Sequence, residues 1–174
     1  MSEIRTDRLV LRAIREEDME DLLALLCDER VSGTFMLPEF PDREAALKLA
    51  RRYCLLSEDP ARFVMGICKD GGLIGIVNEV DKSETAMEIG YVIQPDFWNR
   101  GYATEMLKAV IPALFARGYD TVRAGFFEEN RASARVMEKV GMHRTDQVDT
   151  VEYRGKSHRC LYCEIKKDES VVRA

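Results

Sequence analysis

Apolar and polar residues follow two different periods along the chain, and together these predict a mixture of strands and helices. In RLVLRAI (residues 8–14) they alternate at every second position, as in a half-buried strand. Residues 16–27 carry an apolar stripe at helical spacing, with acidic residues in the first turn, where the helix dipole favours them. The same criteria predict further strands at residues 62–69, 73–80, 84–93, 121–127, 142–148 and 157–166, and helices at residues 43–56, 101–117 and 130–140.

The predicted order of elements is β-α-α-β-β-β-α-β-α-β-β, in which a meander of antiparallel strands precedes β-α-β units. This order predicts an α/β (α+β) chain with one mixed sheet and helices on both faces. A length of 174 residues fits one domain with its own core. We expect a single domain over residues 1–174, with its core at about residues 6–166 and a loose tail at residues 167–174.

Composition and charge narrow the classes of function. The net charge of −5 argues against a duplex nucleic-acid surface, because such domains are usually basic. No apolar run approaches the ~18 residues of a membrane helix. The N-terminus MSEIRTDRLVLR is charged and lacks the apolar core of a signal peptide. We therefore expect a cytoplasmic protein with neither nucleic-acid nor membrane partners.

The chain contains five cysteines at scattered spacing, an odd number that argues against a disulfide framework. Cys160 and Cys163 form a C-x-x-C, but the surrounding RCLYCEI reads as a strand, in which residues three apart point to opposite faces. Only two histidines are present. We expect two ordinary strand cysteines and no metal site.

The segment PDFWNRGYATEML (residues 95–107) joins the apolar strand MEIGYVI to a predicted helix through a short loop. A helix start leaves backbone N–H groups unpaired and carries partial positive charge, so phosphate oxygens are suitable partners. Gly101 allows close approach of the backbone, and Arg100 offers a charge-assisted contact. A plain turn explains the same residues. Pro95 ends the strand ladder, and Asn130 and Ser133 stand at the start of the next helix.

These segments resemble the GNAT superfamily of acyl-CoA-dependent N-acetyltransferases. EIGYVIQPDFWNRGYATEML is similar to its fourth strand, pyrophosphate loop and third helix, and NRASARVMEKVGM to its N-x-x-S…E-K-x-G-F pattern. TDRLVLRAIREEDMEDLLAL resembles the opening of the ribosomal-protein alanine N-acetyltransferase (RimJ/RimL) branch. The resemblance implies a GNAT-like domain: a mixed, mostly antiparallel sheet of about seven strands with a splayed fourth strand.

The resemblance also implies binding roles toward acetyl-CoA. The superfamily loop pattern Q/R-x-x-G-x-G/A falls on residues 98–103, with Trp98 departing from its first position as is common in this branch. Asn130 would bond the pantetheine arm, cap its own helix, or do both. Tyr91 and Ile93 would pair with that arm through their backbone, as an added strand does. The amides that would hold the pyrophosphate are those of Asn99, Arg100, Gly101, Tyr102, Ala103 and Thr104.

Acetyl transfer requires a neutral amine and an acid for the leaving thiolate. Many GNAT enzymes supply a tyrosine at the position of Met137, which donates no proton. By resemblance to the branch, Ser133 would donate to the leaving sulfur, unless it only bonds locally in the first helical turn. Glu88 is our candidate base, unless it is a solvated or ion-paired strand residue. The alternatives for the base are Glu79, Glu128 and Glu129.

The sequence thus favours an acetyl-CoA-dependent N-acetyltransferase whose acceptor is a primary amine, either a protein N-terminus or a small molecule. Because the usual tyrosine is missing, a non-catalytic acyl-CoA-binding module is the alternative. A Rossmann-type nucleotide binder is disfavoured, since no G-x-G-x-x-G follows the first strand. The oligomeric state is left open between monomer and homodimer.

Overall fold

The computed structural model of the chain describes residues 2–170. Within them, the segments with the two hydrophobic periods form strands and helices. The strands are β1 (Ile4–Arg5), β2 (Val10–Arg12), β3 (Val64–Lys69), β4 (Gly72–Lys82), β5 (Ala86–Ile93), β6 (Thr121–Phe127), β7 (His143–Tyr153) and β8 (Lys156–Lys166). The helices are α1 (Met19–Cys27), α2 (Glu29–Ser32), α3 (Arg43–Glu58), α4 (Tyr102–Ala116), α5 (Arg131–Lys139) and α6 (Lys167–Ser170).

The strands are ordered β1-β2-β3-β4-β5-β6-β8-β7. β5 and β6 run parallel, whereas β1–β2, β2–β3, β3–β4, β6–β8 and β7–β8 pair antiparallel. The predicted mixed, mostly antiparallel sheet is therefore confirmed, with β1 added at its edge. The β5–β6 ladder covers three residues only, from Ala86 opposite Thr121 to Glu88 opposite Arg123. This short ladder agrees with the splay predicted for this strand.

Several boundaries differ from the sequence predictions. Residues 16–18 form a 3-10 turn, so that α1 begins at Met19. β7 continues to Tyr153 because a tight turn with positive φ at Arg154 and Gly155 connects it directly to β8. Part of the predicted loose tail is ordered: residues 167–170 form one helical turn, α6, and the amide of Lys167 bonds the carbonyl of Asp120 at 2.9 Å. The rest of that tail lies outside the described residues.

The chain divides into two compact units, of which the first comprises the residues up to Glu79 together with Tyr91–Met106. Its core is apolar and lies among α1, α3 and β3. Arg12 and Asp18 form a buried ion pair in this unit, with two bonds of 2.6 and 2.9 Å. Position 75 requires glycine for steric reasons, because a Cβ there would lie 2.3 Å from the Val92 carbonyl oxygen.

The second unit comprises Val80–Gly90 and the residues from Leu107 onward. Alternate positions of β6 and β8 are buried, namely Val122, Ala124, Phe126, Leu161, Cys163 and Ile165. The positions between them include Arg123, Tyr162 and Glu164, which are half-buried and polar. This face of β6 and β8 is continued on β5 by Glu88, directly opposite Arg123.

Three further observations concern membrane-spanning helices, disulfide bonds and metal sites. No helix within residues 2–170 is both long and apolar enough to cross a membrane. All five cysteines are free thiols. In the same part of the chain, no group of three or more His, Cys, Asp or Glu side chains is placed to hold a metal ion.

Candidate active site

The loop between β5 and α4, residues 94–101, leads directly into the N-terminus of α4. Pro95–Phe97 form a 3-10 turn, after which Asn99 (φ 58°) and Gly101 (φ 81°) adopt left-handed backbone conformations. Asparagine tolerates this region and glycine adopts it without strain. The first hydrogen bond of α4 runs from Glu105 N–H to Gly101 O at 3.0 Å. The amides that precede it are the unpaired donors of a helix start.

The sequence-predicted loop residues differ in exposure. Asn99, Arg100 and Gly101 are exposed, Ala103 and Thr104 are half-buried, and Tyr102 is buried. The Arg100 guanidinium lies 5.6 Å from the centre of the Phe97 ring, a cation–π distance. The exposed stretch therefore presents backbone donors, with one cationic side chain beside them.

Trp98 has a local role that the sequence pattern did not reveal. Its indole Nε1–H donates to the carbonyl oxygen of Ile93 at 2.7 Å. This bond joins the end of β5 to the loop and occupies one lone pair of a carbonyl that we expected to pair with pantetheine. A carbonyl oxygen has a second lone pair, so this bond and the expected one are compatible. Tyr91, two residues earlier, is half-buried on the same strand.

Two residues that are distant in sequence, Thr6 and Arg8, contact the start of α4. The carboxylate of Glu105 accepts bonds from the Thr6 hydroxyl (2.6 Å), the Arg8 amide (2.9 Å) and the Arg8 Nε (2.6 Å). Arg8 Nη1 donates to the carbonyl oxygen of Arg100 at 3.0 Å. The Arg8 guanidinium also lies 4.5 Å from the centre of the Tyr102 ring. We call Thr6, Arg8, Arg100 and Glu105 the Arg8–Glu105 network. Local sequence patterns gave no sign of it.

In the second unit, Asn130 caps α5. Its Oδ1 accepts a bond from the Ser133 amide at 3.1 Å, so the predicted cap is confirmed. Ser133 is half-buried in the first turn of that helix. Met137 is 1% exposed and belongs to the apolar core, so the position at which many GNAT enzymes hold a tyrosine is a packing position here. The structure thus brings Asn130 and Ser133 together.

Glu88 lies on the polar face of β5, β6 and β8. Burial raises the pKa of the Glu88 carboxyl group, and the opposed charge of Arg123 only partly offsets this. Arg123 itself donates to Glu164 at 3.2 Å and to Gln147 at 3.1 Å. Glu88 is therefore a half-buried carboxyl group whose pKa is raised by burial, and it remains the candidate base.

The three alternative bases have structural partners instead. Glu79 is buried, pairs with Arg62 at 2.8 Å and accepts a bond from the Phe63 amide. Glu128 pairs with Arg159 at 3.0 Å. Glu129 lies 3.4 Å from His158 Nδ1. These contacts make each of them a weaker candidate than Glu88.

Comparisons with known proteins agree on one family. The family model described as an acetyltransferase (GNAT) domain matches residues 8–143. The chain is 30% identical over 147 residues to the uncharacterized N-acetyltransferase YoaA of Bacillus subtilis (strain 168), a match that covers 81% of this chain and 82% of YoaA.

Solved structures are similar over almost the full length. An acetyltransferase (GNAT family) from Bacillus anthracis has a TM-score of 0.82 at 22% identity, covering 96% of this chain and 99% of that chain. RimL, a ribosomal-protein α-N-acetyltransferase in complex with coenzyme A, has a TM-score of 0.81 at 18% identity, covering 97% and 99%. At these identities the structural likeness establishes the fold alone.

Proposed function

The chain belongs to the GNAT family and is an N-acetyltransferase, and we propose that it transfers the acetyl group of acetyl-CoA to a primary amine. The amine, from a protein N-terminus or a small molecule, attacks the thioester directly. Bound acetyl-CoA supplies an activated acetyl group. RimL, a structural neighbour, is a ribosomal-protein α-N-acetyltransferase, which supports the protein N-terminus as one class of acceptor to test.

The observation that carries this proposal is the β5–α4 loop. Its exposed residues Asn99 and Gly101 hold left-handed conformations, and α4 begins immediately after them. The amides of residues 99–104 then form a cluster of donors with the partial positive charge of a 15-residue helix behind them. A cluster of this kind fits a diphosphate, and a side chain at Gly101 would crowd it. Tyr91, Ile93 and Asn130 are the residues that we propose for the pantetheine arm.

Glu88 is the proposed base. An α-amine has a pKa of about 8 and a lysine amine of about 10.4, so an α-amine is far more often neutral at pH 7. An acceptor with an α-amine therefore needs only modest help from a carboxylate. The raised pKa of Glu88 supplies that help, either directly or through a water molecule.

Ser133 is the proposed hydrogen-bond donor to the leaving thiolate. Its backbone amide is bonded to Asn130, which fixes the first turn of α5 and hence the main chain that carries its hydroxyl. Met137 is part of the core and has no proton to donate. A hydroxyl is a weak acid, so we expect Ser133 to contribute mainly a hydrogen bond to the sulfur as charge develops there.

The test is a thiol-release assay with acetyl-CoA across a panel of amines. The panel pairs each peptide that has a free N-terminus with the same peptide blocked at its N-terminus, and adds small primary amines. Release of CoA that depends on a free primary amine, with mass spectrometry locating the acetyl group on nitrogen, supports the proposal. CoA binding without acceptor-dependent release from any amine would contradict it.

Ser133 and Glu88 are tested in the same assay at saturating acetyl-CoA. We expect Ser133→Ala to lower kcat about tenfold and Ser133→Thr, which keeps the hydroxyl, to restore part of it. Glu88→Gln should remove from the acidic limb of the pH–rate profile the step due to Glu88, whose base form is lost as pH falls through its raised pKa, and leave only the step due to protonation of the amine. An unchanged kcat, or an unchanged profile, excludes the respective residue from its role.

A further inference from the structure

We propose that the Arg8–Glu105 network positions the β5–α4 loop for the diphosphate of coenzyme A, with Arg8 and Glu105 as positioning residues. The inference rests on the proposed role of that loop. It gives the N-terminal segment of the chain a role in positioning the loop, although the two are about 90 residues apart in sequence. The sequence pattern of the loop alone does not indicate this role.

The first step concerns the peptide unit between Arg100 and Gly101. Its carbonyl oxygen accepts a bond from Arg8 Nη1 at 3.0 Å. A peptide unit is planar and its C=O and N–H point in opposite directions, so fixing the carbonyl also fixes the Gly101 N–H. Gly101 O is in turn bonded by the Glu105 amide at 3.0 Å. Both peptide units of Gly101 are therefore held, one by Arg8 and the other by the first turn of α4.

The second step concerns what holds Arg8. Its Nε and its backbone amide both donate to Glu105, at 2.6 and 2.9 Å, so the side chain and the main chain are bonded to one carboxylate. The Thr6 hydroxyl donates to the same carboxylate at 2.6 Å. The Tyr102 ring lies against the guanidinium at 4.5 Å. Arg8 is half-exposed, yet these bonds and the ring together define its position.

The third step is the sign of the charge. Burial raises the pKa of Glu105, but bonds from Thr6 and Arg8 outweigh it and lower that pKa overall, so the group is an anion at neutral pH. An anion in the first turn of α4 repels a diphosphate at the same helix start. If Glu105 nevertheless favours binding of the diphosphate, it does so by holding the loop in position and not by its charge. The Glu105 variant therefore distinguishes a positioning role of the network from a purely electrostatic one.

The variants are Arg8→Gln and Glu105→Gln, with Arg5→Gln as the matched control. Arg5 lies in β1, is exposed, and pairs with Glu3 at 2.6 Å, so its loss removes the same charge from the same segment. Circular dichroism and thermal melting establish that each variant is folded. Hydrogen exchange of the ligand-free protein then reports on residues 105–108, the first paired amides of α4. We expect faster exchange there for Arg8→Gln and Glu105→Gln, and wild-type exchange for Arg5→Gln.

Affinity is measured by calorimetry with coenzyme A and with pantetheine, which lacks the diphosphate. We expect Arg8→Gln and Glu105→Gln each to weaken coenzyme A binding about tenfold, as loss of hydrogen bonds to charged groups does. Pantetheine binding should be unchanged. The double variant should be no weaker than the worse single variant, because the two residues act as one unit.

The opposite results overturn the proposal. Tighter coenzyme A binding by Glu105→Gln means that only charge matters at this site. Equal weakening of coenzyme A and pantetheine means a general structural loss. Unchanged exchange in both variants means that the loop holds its conformation without the network. If wild-type protein binds no coenzyme A, the proposed role of the loop is wrong, and so is the role of the network. If wild-type protein binds coenzyme A and the Arg8→Gln and Glu105→Gln variants bind it with the same affinity, only the role of the network is wrong.

Discussion

Two arginines near the N-terminus, Arg8 and Arg12, each form an ion pair with a carboxylate, and the two pairs differ in burial. We relate this difference to a difference in role, positioning for one pair and stabilisation for the other. Arg12 and Asp18 are bonded twice, at 2.6 and 2.9 Å, and their side chains are 8% and 3% exposed. Arg8 and Glu105 approach just as closely, at 2.6 Å, but their side chains are 46% and 17% exposed. The chemistry of the two pairs is the same, and only their surroundings differ.

The difference in burial predicts a difference in effect. An ion pair that water still reaches contributes little to stability, because its attraction is screened and its side chains lose entropy. A buried pair is different: removing one partner leaves an uncompensated charge in the interior. We infer that Arg12 supports the folded state, whereas Arg8 affects mainly the conformation of the β5–α4 loop.

The largest expected effect is that of Arg12→Met. It leaves the Asp18 carboxylate buried without its cation, and we expect a loss of about 3–5 kcal/mol in the free energy of unfolding. Arg8→Met should cost about 1 kcal/mol or less. Urea denaturation of both variants measures the difference. Equal losses would show that burial does not distinguish the two pairs.

The control for this prediction is the double variant Arg12→Met/Asp18→Leu. It replaces both charges with apolar groups of similar size, which is often tolerated where a single replacement is not. We expect it to be more stable than Arg12→Met alone. A double variant that is less stable would show that the single loss reflects packing around Arg12 rather than the charge of Asp18.

An intermediate effect is expected for Gly101→Val, compared with Gly118→Val. Both glycines have positive φ, 81° and 102°, so valine is strained at either position by about 1–3 kcal/mol. Near Gly118 a Cβ would meet nothing within 4 Å, whereas at Gly101 it would lie 3.5 Å from Arg8 Nη2. We expect similar losses of stability, but a coenzyme A affinity about tenfold lower or worse only for Gly101→Val. Calorimetry measures the affinity, and an equal loss in both variants would contradict the assignment of the loop.

Sequence patterns located the parts of this molecule that depend on local chain geometry. The β5–α4 loop was predicted because glycine and a helix start stand side by side, and the Asn130 cap because asparagine precedes an amphipathic helix. The Arg8–Glu105 network was not predicted, since its residues are 97 positions apart and each alone resembles a solvated surface charge. The added turn α6 was missed for a related reason: a long-range bond to Asp120 anchors it.

The effect of burial on a carboxylate also predicts a dependence on pH, which differs between Asp18 and Glu88. Burial raises the pKa of Glu88, and Arg123, already bonded to Glu164, opposes this only in part. A carboxyl group whose pKa is raised on folding contributes stability at low pH and loses it as pH rises through that pKa. Asp18 behaves in the reverse way: burial raises its pKa, but Arg12 holds it below the ordinary value, so its contribution is lost as pH falls.

The smallest expected effect, and one of opposite sign, is therefore that of Glu88→Gln. We expect this variant to be slightly more stable than wild type at pH 8 and equal to it near pH 4, because only the ionised carboxylate is disfavoured by burial. Thermal melting at the two pH values measures this, with the exposed Glu84→Gln as a control for loss of one negative charge. A Glu88→Gln protein less stable than wild type at pH 8 would mean that Arg123 stabilises this carboxylate as Arg12 does Asp18, and would remove the reason to expect a base at this position.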